Sequence, residues 1–303
     1  MRLAPSILAL ALCAAFAATS VAKPRIAFQR STTKGSATRA NLFTTRADGS
    51  DVFQVAHNRA PVMNTAPDWN PGRGRLVFQS GRKGTANLWT IDSDGERLRR
   101  LTRGDRLDVD PAWSPDGERI AFARSSRPAG QPSRFDLFTI RLDGSGLRKL
   151  TRGDRSARGP DWSGDGRAIA FQRSSGGDPP QVWRMRRDGT HLRRLTGVAN
   201  GAFSPAWSPD GKRIAFSSPK GLAFEIFVVS ASGGTVRQVT HDGAGTFNDD
   251  PAWSPDSDRI LFSTSHSPPG GSNIVSIAAS GGQRRLVKGD KTGRRVYGEP
   301  AWG

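Results

Sequence analysis

Cysteine is almost absent from this chain. The single copy among 303 residues is Cys13, which lies in an apolar stretch near the N-terminus. If that stretch is removed on export, no thiol remains, so neither disulfide bonds nor thiolate chemistry is expected in the mature protein. A lipid attached to Cys13 is the alternative, and it is disfavoured because Leu12 stands where a small residue would be required.

Long hydrophobic runs are also missing. The apolar run over residues 7–15 is too short to cross a bilayer, and no other segment approaches the necessary length. Arg2 supplies a positive charge before this run, and Ser20, Val21 and Ala22 form a small-residue cleavage site after it. The pattern predicts a signal peptide over residues 1–22, cleaved near Ala22, and one extracytoplasmic domain over residues 23–303 that is periplasmic or secreted.

Residues that commonly carry catalysis are few. The sequence has one tyrosine, Tyr297, no G-x-S-x-G motif, and four scattered histidines: His57, His191, His241 and His266. Isolated histidines are more often surface or hydrogen-bonded residues than catalytic bases. We therefore predict no catalytic residue and favour a binding protein over an enzyme.

A repeated stretch dominates the remainder of the chain. It reads PAWSPDGKRIAFSS over residues 205–218, with related copies starting at Pro67, Pro111, Pro160 and Pro251 and a fragment, PAWG, at Pro300. The tryptophans of the copies are separated by 44, 49, 45, 46 and 49 residues. This period is typical of four-stranded propeller blades.

The copies predict a short inner strand ending in tryptophan, an S-P-D-G or related turn, a returning strand, a third strand and a fourth strand, and four of the fourth strands end in Leu-Thr or Val-Thr. Because Ser257 replaces the turn glycine of one copy, that turn is expected to differ in type. The mature chain begins with a second strand and ends with a first strand. The sequence thus predicts an all-β fold, a six-bladed β-propeller with four-stranded antiparallel blades, closed by pairing the N- and C-terminal strands in one blade.

The repeated W-S-P-D-G-x-x-I-A-F, followed by an aromatic strand, D-x-x-G and L-T, resembles the TolB-type propeller repeat, a WD-like repeat. The resemblance covers essentially all of residues 23–302. It implies a six-bladed propeller, and similar repeats also occur in propeller domains attached to prolyl-oligopeptidase-like hydrolases. For TolB it implies a periplasmic protein that binds envelope partners through its propeller. The N-terminal α/β domain of TolB is not expected here, since the repeats start directly after the predicted signal peptide.

Acidic residues are outnumbered. The chain has 45 Lys and Arg against 27 Asp and Glu, a formal charge of +18 that becomes +17 without the signal peptide. Such a charge attracts anionic polymers, which outside a cell are envelope polymers rather than nucleic acid. Nine basic residues lie at the predicted fourth strand of the repeat: Arg97, Arg99, Arg100, Arg148, Lys149, Arg193, Arg194, Arg284 and Arg285. A solvated edge that resists aggregation is favoured there over a polyanion site.

Two sets of loops predict where binding occurs. The turns inside the hairpins are short and repetitive, whereas the connections between second and third strands and between blades are longer and all differ. In a propeller the longer connections emerge on one face, around the channel mouth. We place the predicted binding residues on that face: Asp108, Asp110, His241, Asp249, Asp250, Tyr297 and Glu299. The five acids precede inner strands and could gather a calcium ion, although capping of backbone groups or pairing with Arg106 or Arg294 is favoured.

The predicted function is an exported scaffold that binds an envelope or secreted protein, or an anionic envelope polymer. We expect a monomer without a cofactor, without a transmembrane segment and without a nucleic-acid partner. The alternative is an extracytoplasmic hydrolase or lyase with a carboxylate or metal site at the channel mouth, built from Asp110, His241, Asp249, Asp250 and Glu299.

Deletion of residues 300–303 should lower the melting temperature markedly, because the predicted C-terminal strand completes the blade that the N-terminus starts. Thermal unfolding of the truncated and full-length chains measures this. An unchanged melting temperature would contradict closure by the terminal strand.

Overall fold

The computed structural model describes residues 25–34, 37–57, 62–72, 74–130, 134–174, 177–266, 271–289 and 295–302. The predicted signal peptide and its cleavage site near Ala22 lie outside these residues. Within them every regular element is a β-strand, and no helix is present that could span a membrane.

The strands form antiparallel sheets that follow chain order. Sheet 1 is ordered β24 (Arg295–Trp302), β1 (Arg25–Lys34), β2 (Ala37–Arg46) and β3 (Phe53–Gln54). Sheet 2 contains β4 (Asn64–Trp69), β5 (Arg75–Ser80), β6 (Asn87–Asp92) and β7 (Arg99–Arg100). Sheet 3 contains β8 (Arg106–Trp113), β9 (Arg119–Pro128), β10 (Phe135–Arg141) and β11 (Arg148–Lys149). Sheet 4 contains β12 (Ser156–Trp162), β13 (Ala168–Ser174), β14 (Gln181–Arg186) and β15 (Arg193–Arg194).

The remaining eight strands belong to sheet 5, which has two four-stranded halves. The first half is β16 (Phe203–Trp207), β17 (Arg213–Lys220), β18 (Ala223–Ser230) and β19 (Arg237–Gln238). The second half is β20 (Thr246–Trp253), β21 (Arg259–His266), β22 (Ser272–Ala278) and β23 (Arg285–Lys288). A single parallel pair, Phe224 with Phe247, joins the halves. The result is an all-β, propeller-like fold of four-stranded antiparallel sheets.

The hydrophobic core lies between neighbouring sheets rather than inside one of them. Six clusters of buried side chains join sheets 1 and 2, 2 and 3, 3 and 4, 4 and 5, the two halves of sheet 5, and sheet 5 with sheet 1 among the described residues. In the last cluster Phe28 and Tyr297 of sheet 1 pack with Leu261 of sheet 5. Every sheet is therefore packed on both sides, which explains why the returning strands read as continuous apolar runs.

The first strands are longer than their sequences predict. Strands β12, β20 and β24 begin four or five residues before the proline of the repeat, in segments that we expected to be connecting loops, and β8 likewise begins five residues before its proline. A β-bulge at the proline allows this: the pairing register shifts there in every first strand. At the bulge the ladder requires no N–H donor from the proline, which has none. Proline is tolerated inside a sheet only under such a condition.

The residue before each of these prolines has a positive φ. The angles are 49° at Ala66, 54° at Asp110, 56° at Gly159, 47° at Ser204, 53° at Asp250 and 48° at Glu299. For a residue other than glycine the left-handed conformation costs about 1–2 kcal/mol. Five of the six positions carry that cost, so the surrounding structure must hold the bulges in place.

The S-P-D-G turns share one network of hydrogen bonds. In the turn after β8, the Ser114 hydroxyl donates to Asp116 at 2.5 Å and accepts the Arg119 N–H at 2.9 Å, while the Gly117 N–H donates to the Ser114 carbonyl at 2.8 Å. Gly117 has a φ of 72°. The serine thus connects both ends of the turn, and glycine provides its left-handed corner.

Our expectation that the turn at Ser257 differs in type is wrong. Ser257 adopts a φ of 63°, and its N–H donates to the Ser254 carbonyl at 2.8 Å, as Gly117 does to Ser114. The strained serine is fixed by its neighbour: its hydroxyl accepts the Asp210 N–H at 3.0 Å and its carbonyl accepts from Arg213 at 2.7 Å. Contacts between the halves of sheet 5 therefore maintain the same turn without glycine.

A Leu-Thr or Val-Thr pair directly follows four of the fourth strands. In each pair the threonine hydroxyl, rather than a main-chain carbonyl, accepts a backbone N–H of the third strand at 2.8–3.0 Å. The threonines are Thr102, Thr151, Thr196 and Thr240. The ladder stops there, and five of the fourth strands have only two residues. Very short edge strands protect the periphery against pairing with another chain.

Two glycine-to-alanine variants separate backbone strain from steric conflict. Gly211 and Gly189 both have positive φ, but a Cβ at Gly211 meets no atom within 4 Å, whereas one at Gly189 would lie 2.6 Å from the Leu150 carbonyl oxygen. We expect Gly211→Ala to lower the free energy of unfolding by roughly 1 kcal/mol and Gly189→Ala by clearly more. Chemical denaturation measures both, and equal losses would contradict the close approach of the Gly189 turn to the preceding sheet.

Candidate functional site

A cavity of about 650 Å³ lies where the first strands meet. Residues of β4, β8, β12, β16, β20 and β24 all line it, including the left-handed residues before the prolines. The bulges therefore present their side chains and N–H groups to one shared space. We call this space the central cavity.

Side-chain oxygens satisfy the N–H groups that the bulges release from the ladder. The acceptors are Glu299 for Ala66, Gln79 for Asp110 at 2.9 Å, Asp110 for Gly159 at 3.2 Å, Gln172 for Ser204 at 3.0 Å, Asp249 for Asp250 at 2.7 Å and Asp250 for Glu299 at 3.4 Å. The acids of the cavity thus hold neighbouring first strands together. Capping of backbone groups, the interpretation favoured from the sequence, describes their contacts.

Four of the predicted site residues meet in this cavity: Asp110, Asp249, Asp250 and Glu299. Arg158 donates to both carboxylate oxygens of Asp110, at 2.9 and 3.1 Å, and is the only cation with an ion pair to these acids among the described residues. Burial, followed by the nearby charges of Asp249 and Glu299, raises the pKa of Asp250 well above its ordinary value. Burial also raises the pKa of Glu299 to about 7. The central cavity thus contains the enclosed carboxyls of Asp250 and Glu299 together with the guanidinium of Arg158, which is paired with Asp110.

Two further acids of the cavity were not selected from the sequence. The Asp68 carboxylate accepts the backbone N–H of Trp113 at 2.7 Å, and the Asp161 carboxylate accepts the backbone N–H of Trp207. Each acid therefore connects its sheet to the next. Burial raises the pKa of Asp68 to about 7 and that of Asp161 to about 6. The available signal was the repeat itself, because P-D-W replaces P-A-W in these two copies.

The other three predicted site residues lie elsewhere. Asp108 is buried and forms a two-pronged ion pair with Arg124, at 2.6 and 2.9 Å, rather than with Arg106. Tyr297 is 1% exposed and packs on Phe28, with ring centroids 5.9 Å apart, because its strand begins before the bulge and directs it into the core. His241 is exposed between β19 and β20 and does not line the cavity.

Metal binding has no arrangement to support it in this part of the chain. Among the described residues no group of three or more His, Cys, Asp or Glu side chains could hold a metal ion. In the central cavity, Glu299, Asp110 and Asp249 accept backbone N–H groups, and Asp110 also pairs with Arg158. A calcium site at these positions therefore receives no geometric support.

An aromatic ladder at the cavity rim was missed in the sequence. Phe203 and Phe224 line the cavity with ring centroids 5.9 Å apart, and Phe247 follows at 6.0 Å from Phe224. Phe247 is 40% exposed, and Leu222, in the adjoining hairpin turn, is 79% exposed. We call these four residues the rim patch. The residue two places before the proline differs in all six copies, so the repeat did not single out Phe203.

The basic residues of the fourth strands make contacts between sheets. Arg99 donates to the Asp143 carbonyl at 3.2 Å, Arg148 to the Asp188 carbonyl at 3.0 Å, and Arg237 to the Ala279 carbonyl of the following half-sheet. Lys149 forms a 2.8 Å ion pair within sheet 3. Several of these cations thus bind the protein itself, which reduces what they offer to a polyanion.

Comparison with protein families identifies a propeller family. Residues 36–196 and residues 125–303 each match the family described as the TolB beta propeller domain. The two stretches overlap and together cover well over half of the chain. The resemblance inferred from the W-S-P-D-G repeat is confirmed.

Individual relatives are similar over shorter stretches or by fold. The chain is 34% identical over 90 residues to the Tol-Pal system protein TolB of Geobacter metallireducens, which covers 29% of this chain and only 20% of that protein. The crystal structure of TolB from Acinetobacter baumannii superposes with a TM-score of 0.74 at 21% identity, over 92% of this chain and 66% of that one. A protein of Agrobacterium tumefaciens, provisionally named TolB, gives 0.69 at 17% identity, over 93% and 99%.

The raised pKa of Glu299 predicts a pH-dependent stability. Its value is about 7 in the folded protein and 4.5 ordinarily, so its stabilising contribution is fully present below pH 4.5 and is lost as the pH rises through 7. Between pH 5 and pH 8 the melting temperature should fall. Glu299→Gln should remove part of that fall, because the titration of Glu299 accounts for a loss on the order of 2 kcal/mol in the free energy of unfolding. Glu118→Gln, which changes an exposed carboxylate in a turn, is the control. Identical pH profiles for all three proteins would contradict the enclosed state of Glu299.

Proposed function

Because the chain belongs to the TolB beta propeller domain family, we propose that it is an exported, six-bladed propeller that binds a protein of the cell envelope through the face on which the central cavity opens. The rim patch is the observation that carries this proposal. The following points support it.

Six blades follow if each half of sheet 5 counts as one blade, since the halves are joined by a single residue pair. Closure of the ring is supported by two contacts of sheet 1. β24 pairs with β1 through Ile26 with Trp302 and Ala27 with Ala301, and Phe28 and Tyr297 pack against sheet 5. The first and last described strands then belong to one blade.

The rim patch has the properties of a protein-binding anchor site. Its three phenylalanines form a continuous ladder from the cavity wall to the surface, and Leu222 extends this apolar surface outward. Interfaces concentrate their binding energy in a few apolar or aromatic anchors that fill a desolvated pocket. A cavity of about 650 Å³ beside the ladder can receive such an anchor from a partner.

The cavity acids define the complementary chemistry of the partner. On a chain with a net charge of +18, the space next to the patch holds Asp249, Asp250 and Glu299, which accept hydrogen bonds. A partner segment that presents an apolar side chain together with an N–H donor or a cation would satisfy both surfaces. Arg158, the only cation lining the cavity among the described residues, is already paired with Asp110, so the cavity offers an anionic polymer little attraction and the protein partner is favoured.

Location and partner class rest on the sequence and on the family. The predicted signal peptide supports export, and the similar protein of Geobacter metallireducens carries the name of the Tol-Pal system. The aligned region spans a fifth of that relative. We therefore propose an envelope protein as the partner class and assign no particular member of that system.

A hydrolase or lyase is the second candidate, favoured by one observation. Glu299, with a pKa of about 7, lies beside Asp249 and Asp250 in a cavity and could donate a proton to a substrate. His241, which the sequence had grouped with these acids, is exposed outside the cavity. The same carboxyls cap backbone N–H groups, which accounts for their positions without catalysis, so binding is the better supported function.

Affinity capture from an envelope extract tests the proposal when the bait is varied at the rim. We expect Phe247→Ser and Leu222→Ser together to reduce the captured partner at least tenfold, because they remove the apolar anchor surface. Leu286→Ser is the matched control, since Leu286 is 63% exposed but lies on the outer strand β23.

Salt distinguishes the partner classes in the same experiment. A protein held by the rim patch should remain bound at 1 M NaCl, where the Debye length falls to about 3 Å. Capture that is lost in high salt, or that is reduced equally by the Leu286 control, would contradict a protein-binding rim.

A further inference from the structure

We propose that a small cavity in sheet 4, about 360 Å³ in volume and lined by Arg155, Arg173, Gln181, Trp183 and Arg194, binds a carboxylate carried on a ring. The site shares no lining residue with the central cavity. It follows from a comparison of sheet 4 with sheet 3 of the same chain.

Arginine occurs at one position in three of the second strands. In sheet 3, Arg124 pairs across the ladder with Asp108 on one side and Asp136 on the other. Its guanidinium contacts Asp108 through two hydrogen bonds, at 2.6 and 2.9 Å, and lies 5.4 Å from the centroid of Phe138. Sheet 3 thus gives this arginine an aromatic support and a carboxylate partner.

Sheet 4 repeats the cation without the acids. Arg173 occupies the position of Arg124, but its cross-strand neighbours are Ala157 and Gln181. Its guanidinium lies 5.4 Å from the centroid of Trp183. Its Nε atom is buried without a hydrogen-bond partner, and another of its nitrogens donates only to the Arg152 carbonyl, at 3.4 Å. The aromatic support is retained, and the carboxylate is missing.

Further cations surround the unmatched guanidinium. Arg155 lies 5.9 Å from the centroid of the same Trp183 ring, and Arg194 lines the cavity at the position that Lys149 holds in sheet 3. Burial, followed by the charge of Arg155, lowers the pKa of Arg173, and the charges of Asp154 and Asp136, neither of which forms an ion pair with Arg173 in the described part of the chain, oppose this shift. One acid, Asp178, is part of the cavity lining against three arginines. The cavity therefore has an excess of positive charge that an anion would neutralise.

The chemical class of the ligand follows from these neighbours. The two hydrogen bonds between Arg124 and Asp108 show which group complements an arginine at this position, and a planar guanidinium fork favours carboxylates in that geometry. Trp183 and Pro179 add an apolar wall, which suits the face of a sugar or aromatic ring. The volume is at the lower end of small-molecule sites, so a single ring with one carboxylate fits it.

Glucuronate and benzoate are suitable probes, one a sugar and one an aromatic ring, with glucose and benzamide as their uncharged counterparts. Isothermal titration with the full chain should detect at least one acid, with a dissociation constant of about 1 mM or below, and neither neutral compound. A difference between the two acids tells which ring the wall prefers. Binding of neither acid, or equal binding of an acid and its neutral counterpart, would overturn the proposal.

Two variants remove the site in opposite ways. Arg173→Gln deletes the cation, while Ala157→Asp restores the carboxylate that sheet 3 places across from the arginine. Both should weaken binding of the acid at least tenfold, and the melting temperature of each variant shows whether it is folded. Arg173→Lys keeps the charge without the fork and should give a smaller loss, which remains measurable if Ala157→Asp fails to fold.

Arg124→Gln is the matched control. It changes the equivalent residue of sheet 3, should lower the melting temperature by leaving Asp108 buried without its partner, and should leave the affinity for the acid unchanged. Unaltered affinity in the Arg173 variants, or an equal loss with Arg124→Gln, would overturn the assignment to sheet 4. Inorganic phosphate that competes as well as the acid would overturn the choice of a carboxylate.

Discussion

The structure depends on a left-handed residue before the proline of each first strand. Proline cannot donate to the ladder, so a strand that continues through it must bulge, and the residue before the proline takes a positive φ at all six positions. The bulge releases one N–H toward the central cavity, where a side-chain oxygen has to accept it. Glu299, Asp110 and Asp250 meet this need across sheet boundaries. The same geometry thus fixes the strands relative to one another and encloses acidic groups in the central cavity.

The raised pKa values of the cavity acids are a consequence of that role. Each of these carboxyls is placed where it can cap a backbone group, and the protein that surrounds it disfavours its charged form. Asp68 and Asp161 have the same structural role, because each accepts the backbone N–H of a tryptophan in the next sheet. Perturbed pKa values often mark catalytic sites, but here a structural origin is visible for each of them. This is why binding, rather than catalysis, is the function we propose.

Much of the fold could be predicted, because the repeat encodes it locally. The S-P-D-G turns, the order of the strands and the edge position of the basic pairs all follow from residue types at fixed spacing. The bulges could not be predicted in this way, because they arise from pairing between strands, and they convert expected loops into strand and direct Tyr297 into the core. Ser257 shows the same limit, since contacts with Asp210 and Arg213 hold a turn that its own sequence disfavours.

The candidate sites lie where copies of the repeat differ, but the sequence alone did not rank those differences. It selected the acids before the prolines and overlooked Phe203 and Arg173, whose meaning depends on neighbours from other strands. The rim patch requires Phe224 and Phe247 from separate halves of sheet 5, and the unmatched arginine is evident only beside its counterpart, Arg124. Departures from a repeat therefore become informative once the strand register is known.

Hydrogen–deuterium exchange in the presence of a purified partner tests the central claim most directly. Binding through the rim predicts slower exchange in residues 201–204, 221–224 and 245–250, with no change in the short turns at residues 114–118 and 163–167. Protection confined to those short turns or to the outer fourth strands would contradict binding through the face on which the central cavity opens.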